Sequence, residues 1–128
     1  MTDDVEVCVL VVDDNDGIRE TTAAILRSVG YTVAEAQDGE AALEELNQKP
    51  FDVVVLDERM PKLNGTEVVR TMCPEPPPPV IVMASAYDFD SDFRENFGHR
   101  VFRYLKKPVR PKDLIEAVGA ACAGIPPS

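Results

Sequence analysis

The chain has 128 residues, of which 45% are hydrophobic and 28% charged, which is the balance of one globular domain and excludes a disordered chain. Its formal net charge of -10, from 23 acidic and 13 basic residues, argues against binding to nucleic acid or to an anionic membrane. Three cysteines without a metal-binding spacing, and no signal-peptide or membrane-spanning pattern, predict a reducing, cytoplasmic location.

The predicted elements alternate between strand and helix along the chain. Short apolar runs predict buried strands, and apolar residues at helical spacing behind a capping residue predict helices. The predicted strands are residues 6–12, 31–36, 51–56, 80–84 and 101–105. The predicted helices begin near Asn15 or Asp16, at Asp38, at Asn64, at residue 88 and at Pro111. Helices between successive strands imply a parallel sheet covered on both faces, the α/β class.

We expect a single domain over residues 1–128, with its core at about 5–123. Two segments stand out from the alternation of elements. The proline-rich segment 74–79 is either a ligand for a partner or a stiff loop, and we prefer the loop. The weaker helix 88–97 carries three phenylalanines at helical spacing, which favour core packing.

Polar side chains collect where the predicted strands end. Asp13 and Asp14 follow the first strand, Asp57 the third and Ser85 the fourth, and Lys107 comes just after the fifth. Taken singly, each has an ordinary structural explanation, such as a helix cap for Asp14 or a surface position for Lys107. Together they predict one site, because ligands of parallel sheets bind at the carboxyl ends of the strands.

Three neighbouring carboxylates repel one another unless a cation lies among them. Oxygen ligands with room for water and phosphate suit Mg²⁺, and Lys107 and Ser85 offer further donors to phosphate oxygens. A carboxylate can also act as the nucleophile in phosphoryl transfer. Asp57 is the candidate nucleophile because it stands alone, whereas Asp13 and Asp14 form a pair suited to the metal.

At these residues the chain resembles the response-regulator receiver family, over about residues 5–123. The run VLVVDDN resembles the first strand and acidic pair of the family, and VVVLDERMPKLNGTEVVR its phosphoacceptor strand and following loop. The run VIVMASA carries the hydroxyl residue, and YLKKPV the lysine and proline. The resemblance implies a flavodoxin-like (βα)5 fold with strand order 2-1-3-4-5.

The resemblance also implies the roles of the site residues. Asp57 would accept phosphate from a histidine kinase or phosphotransfer protein. Asp14, Asp57 and the backbone carbonyl of Arg59 would ligate Mg²⁺, with Asp13 acting largely through water. Ser85 would move towards the phosphoryl group, and Tyr104 would be the coupled aromatic switch. The Lys107–Pro108 bond would be cis.

A receiver of this kind is a phosphoacceptor switch that assists its own phosphorylation and dephosphorylation. Its readout surface would be the fourth helix, fifth strand and fifth helix, acting on a downstream target protein or a fused effector domain. Arg59 and Tyr87 flank the site at positions that tune phosphate lifetime in the family. The chain is either a stand-alone regulator or an excised receiver.

Two other functions remain open from the residues alone. A phosphatase acting through an aspartyl-phosphate would use the same groups, although no insertion is long enough to cover a substrate. A binding module that has lost phosphorylation is the other, and the complete set of site residues argues against it.

Overall fold

The computed structural model describes residues 6–72, 78–86 and 101–123. Within these ranges the chain forms five strands and four helices. The strands are β1 (Cys8–Val12), β2 (Thr32–Ala36), β3 (Val53–Asp57), β4 (Val80–Ser85) and β5 (Val101–Lys106). The helices are α1 (Asp16–Ser28), α2 (Gly39–Gln48), α3 (Gly65–Thr71) and α4 (Pro111–Ala123). The predicted helix 88–97 and most of the proline-rich segment lie outside the described residues.

All strand pairs are parallel, and the sheet has the order β2-β1-β3-β4-β5, which confirms the predicted fold class and order. The predicted ends of three strands were wrong by one residue. Asp57 pairs with Ala84, and Ser85 pairs with Lys106. These polar residues are therefore the last residues of their strands, one position beyond the predicted ends. The apolar run alone does not reveal this, because a strand continues as long as its neighbour supplies hydrogen bonds.

Side-chain caps fix where the helices begin. Asn15, and not Asp16, caps α1 by accepting a hydrogen bond from the backbone of Ile18 at 2.9 Å. Asp38 caps α2 in the same way, and Asn64 forms a capping box with Glu67 at α3. These contacts satisfy backbone N–H groups that the first helical turn leaves without partners. Each cap follows directly on a loop that leaves the carboxyl end of a strand.

The sheet separates two apolar layers. One contains the inner faces of α2 and α3 with Leu10, Leu56 and Met83, and the other contains those of α1 and α4 with Val11, Val55 and Val82. Cys8 and Cys122 are free thiols, partly buried at the margins of these layers. No helix in the described part of the chain is long and apolar enough to span a bilayer.

The two outer strands of the sheet differ from the inner ones in their backbone contacts. In β5, Val101 pairs with Ile81 and Arg103 with Val82, so Phe102 is an extra residue in a β-bulge, and its side chain is 46% exposed. In β2, the Arg27 side chain of α1 donates a 2.8 Å hydrogen bond to the carbonyl of Val33. A bulge thus interrupts the regular strand pairing in β5, and a side chain covers a backbone carbonyl in β2.

Candidate functional site

The carboxyl edge of the sheet buries three of the predicted polar residues. Asp13 and Asp57 are each 5% exposed and Ser85 is 2% exposed, although each lies at the end of an otherwise apolar strand. Burying a carboxylate is costly unless it is paired or hydrogen-bonded. This edge must therefore supply partners, and they come from other strands.

Lys107 is the central partner. Its Nζ lies 2.9 Å from Asp13 Oδ2 and 2.9 Å from Asp57 Oδ1, joining the ends of β1 and β3. The backbone N–H of Lys107 donates to the carbonyl of Ser85 at 2.8 Å, which holds the loop after β5 against the end of β4. The following Lys107–Pro108 peptide bond is cis, as the resemblance implied. One ammonium group thus neutralises part of the charge of two buried acids.

Asp14 completes a group of three acids. One carboxylate oxygen from each of Asp13, Asp14 and Asp57 lies within 4.8 Å of the others, and Asp14 is exposed. Such a set of hard oxygen donors, open to water on one side, fits a small divalent cation. The acidic cluster could therefore bind a metal ion.

The surroundings of Asp57 raise its pKa. Burial, together with the charges of Asp13 and Asp14, raises the pKa of Asp57 from 3.8 to about 6, although Lys107 opposes the rise. Burial would lower the pKa of Lys107, but its hydrogen bonds to Asp13 and Asp57 raise it overall. Lys107 therefore stays charged at neutral pH, and an added cation would favour the ionised form of Asp57.

Arg19 contacts the backbone of the acidic pair, and the sequence analysis did not identify it. Its Nη1 donates to the backbone carbonyl of Asp13 at 3.1 Å, and the same guanidinium pairs with Asp16 at 2.7 Å and Glu35 at 3.3 Å. The side chain of Arg19 is only 12% exposed. The available signal was its helical spacing with Ala23 and Leu26, which places a cation on the buried stripe of α1.

Glu58 is the second residue that sequence reasoning missed. Its carboxylate accepts hydrogen bonds from the backbone N–H of Thr66 at 2.7 Å and from the Thr66 hydroxyl. A Cβ at Gly65 would lie 2.8 Å from the carbonyl oxygen of Asp57 and 2.9 Å from Glu58 Oε1. The start of α3 therefore packs directly against the end of β3. Gly65 was the feature of the sequence that indicated this close contact.

The other predicted site residues occupy positions around this centre. Arg59 is exposed, two residues beyond Asp57. Tyr104 pairs in register with Met83 and is partly buried against the apolar layer of α2 and α3. Tyr87 lies outside the described residues. The roles given to Arg59, Ser85 and Tyr104 by the resemblance stay predictions.

The fold and this acidic edge are those expected of a receiver domain of two-component systems. The family model described as the response regulator receiver domain matches residues 9–119. The chain belongs to the response regulator receiver domain family, and this membership confirms the family expected from the motifs.

Relatives and solved structures agree with this membership. The chain is 39% identical over 117 residues to the positive alginate biosynthesis regulatory protein of Pseudomonas aeruginosa, covering 88% of this chain and 46% of that protein. It is 30% identical over 112 residues to the DNA-binding response regulator MtrA of Mycolicibacterium smegmatis, covering 88% of this chain and 49% of that protein. The chain therefore spans less than half the length of these curated relatives.

The fold matches solved receiver domains over almost their whole length. A CheY-like response regulator receiver domain protein from Methanospirillum hungatei superposes with a TM-score of 0.82 at 26% identity, covering 90% of this chain and 92% of that one. A receiver domain protein from Clostridium thermocellum gives a TM-score of 0.81 at 26% identity, covering 91% and 94%.

Proposed function

We propose that Asp57 accepts a phosphoryl group, in the presence of Mg²⁺, from a phosphohistidine of a histidine kinase or phosphotransfer protein. The observation that carries this proposal is the position of the Lys107 ammonium, 2.9 Å from both Asp13 and the phosphoacceptor Asp57. A cation held between two buried acids at an open sheet edge is arranged to receive additional negative charge.

The residues that would hold Mg²⁺ are Asp14, Asp57 and the backbone carbonyl of Arg59, with Asp13 contributing largely through water. The mutual approach of the three carboxylates within 4.8 Å supports this set. Mg²⁺ held there would supply positive charge for the phosphoryl oxygens and for the Asp57 carboxylate. Ionised Asp57 is the form that can attack phosphorus.

The protein's own groups carry out the remaining work. An Asp57 carboxylate oxygen forms the new bond to phosphorus while the bond from phosphorus to the donor histidine nitrogen breaks. Lys107 and the Ser85 hydroxyl donate hydrogen bonds to phosphoryl oxygens in the product. Because the product adds about -1.5 to -2 of charge, contacts to these two donors differ between the two states, and such a difference can shift a conformational equilibrium.

The output would pass through Tyr104 to the surface formed by the predicted helix 88–97, β5 and α4. Tyr104 lies in the strand that ends one residue before Lys107, and β5 would couple a rearrangement of the lysine to one of the ring. The partner would be a downstream target protein or a fused effector domain in the cytoplasm. The relative MtrA is described as DNA-binding, and a fused effector of that kind is one form that such an output could take.

The test is labelling with acetyl phosphate and Mg²⁺, read as the mass of one added phosphoryl group. The wild type should be labelled, chelation of Mg²⁺ should prevent labelling, and Asp57→Asn should abolish it. The control is Asp52→Asn, which alters the aspartate just before the first residue of the same strand and should leave labelling intact. Labelling of Asp57→Asn at the wild-type rate would contradict the proposal.

A further inference from the structure

A cavity of about 770 Å³ opens beside Asp57 on the side of the sheet covered by α1 and α4. Its polar end is formed by Asp13, Asp57 and Lys107, which are the groups that would bind a phosphoryl group. A volume of several hundred cubic ångströms next to a few convergent polar groups is typical of a small-molecule site. The proposed phosphorylation uses only this polar end.

The rest of the cavity is mainly apolar, with Asn15, Thr21 and Thr22 as the polar residues of its α1 side. Its floor is formed by Val11 and Val55, and its walls by Ile18 and Ile25 of α1 facing Val109 and Leu114. Ile18 is 44% exposed although it is a large aliphatic residue, so apolar surface continues to the mouth of the cavity. Such walls favour a hydrocarbon group and offer it little hydrogen bonding.

We infer that this cavity receives the hydrocarbon part of a small acyl phosphate, so that acyl phosphates with longer apolar chains phosphorylate Asp57 more efficiently than acetyl phosphate. This inference rests on the proposed function, since it names a substrate class for the same phosphoacceptor. The phosphate would occupy the polar end, and the acyl chain would lie between α1 and the loop leading into α4.

The chemistry of the transfer is balanced without any further reactant. An Asp57 carboxylate oxygen forms a bond to phosphorus, the bond from phosphorus to the acyl oxygen breaks, and the carboxylate of the donor leaves with the electron pair. In phosphoryl transfer the attacking and leaving oxygens lie roughly in line with phosphorus. The acyl group therefore leaves on the side of phosphorus opposite Asp57, and its chain would turn past Lys107 to reach the apolar part of the cavity between α1 and the loop leading into α4.

The experiment compares acetyl, propionyl and butyryl phosphate as donors to the whole chain with Mg²⁺. Burial of one methylene contributes about 0.8 kcal/mol, so two added methylenes should raise kcat/KM about tenfold. The gain should appear as a lower KM at similar kcat, since the added contact binds donor and transition state alike. Spontaneous hydrolysis of each donor in the same buffer corrects for intrinsic reactivity.

Matched variants in α1 and at its C-cap residue Val29 localise the effect. Ile18→Ser removes an apolar wall and should reduce the ratio of butyryl to acetyl efficiency to about threefold. Val29→Ser alters an aliphatic residue that is similarly exposed, at 47%, but lies outside the cavity, and should keep the wild-type ratio. Thr21→Val, which replaces a hydroxyl by a methyl group on the same wall, should raise the ratio.

The possible failures are distinguishable. If acetyl phosphate labels Asp57 but the longer donors are no better, or if Ile18→Ser and Val29→Ser behave alike, the cavity inference is wrong and the proposed function stands. If no acyl phosphate labels Asp57 and a phosphohistidine donor also fails, the proposed function itself is wrong.

Discussion

Asp52 and Asp57 flank the same buried run of β3 and differ in everything that surrounds them. The Asp52 carboxylate accepts a 2.8 Å hydrogen bond from the backbone N–H of Cys8, and the Asp52 backbone joins β1 and β4 on either side. Asp57, at the other end, faces two further acids and an ammonium. The backbone and side chain of Asp52 join neighbouring strands of the sheet, whereas Asp57 belongs to an acidic group that could hold a metal ion. The chemistry therefore follows from which end of the strand the acid occupies.

The largest expected effect is on the free energy of unfolding without Mg²⁺, which should change in opposite directions when Asp57 or Asp52 is replaced by asparagine. The pKa of Asp57 is raised from 3.8 to about 6, so between these values the folded state binds more protons than the unfolded state. The free energy of unfolding therefore falls as pH rises through this window, and the full penalty applies above pH 6. Asp57→Asn should stabilise the Mg²⁺-free protein at neutral pH by up to about 3 kcal/mol.

Urea unfolding in chelator measures this difference, which should shrink as the pH falls towards 4. Asp52→Asn should instead cost about 1 kcal/mol, because it weakens a hydrogen bond to a charged acceptor. A destabilised Asp57→Asn protein at neutral pH would show that burial does not penalise the ionised carboxylate.

The next effect concerns the cation at the carboxyl end. Lys107→Met should slow labelling by acetyl phosphate about a hundredfold, since it removes a preorganised donor from the position where phosphoryl charge arrives. Lys106→Met, at the exposed last residue of β5, should have a much smaller effect. Equal labelling rates in the two variants would show that Lys107 does not take part in the proposed phosphoryl transfer.

A third prediction probes how tightly the carboxyl end of β3 is built. Gly65→Ala places a methyl group 2.8 Å from the carbonyl oxygen of Asp57 and should lower the free energy of unfolding by about 2 kcal/mol. Gly119→Ala, in α4, meets no atom within 4 Å and should raise it by up to about 1 kcal/mol. Thermal unfolding distinguishes the two, and a neutral Gly65→Ala would mean that the start of α3 moves freely.

The smallest expected effect concerns the support behind the acidic pair. Arg19→Met should weaken Mg²⁺ binding about tenfold, because the carbonyl of Asp13 loses its guanidinium partner. Arg27→Met removes another α1 arginine that pairs with Glu35, at 3.3 Å, without touching Asp13, and should leave the affinity nearly unchanged. Calorimetric titration measures both, and equal losses would assign the effect to Glu35.

Much of the fold was predictable because its signals are local. Apolar runs locate the strands, and Asn64 with Glu67 marks a helix start that needs no distant partner. The convergence of Asp13, Asp57 and Lys107 was also predictable, because parallel strands deliver their carboxyl ends to one edge. Knowledge of the register was not required for this step.

The remainder depends on contacts between residues far apart in the sequence. Asp57 belongs to β3 because Ala84 is its neighbour, and the role of Arg19 becomes apparent only once the Asp13 carbonyl and Glu35 are placed beside it. The bulge at Phe102 depends on the register between two strands, which no single apolar run encodes. These features could not be predicted because they depend on which residues pair with one another in the fold, and residue types alone do not reveal this.

The two margins of the sheet bear on self-association. An exposed strand edge with free N–H and C=O groups is a template onto which another chain can add a strand. In the described residues the bulge at Phe102 breaks that template in β5, and the Arg27 guanidinium covers the Val33 carbonyl in β2. Both outer strands are therefore poor templates for adding a strand from another copy of the chain, and this feature disfavours edge-to-edge polymerisation.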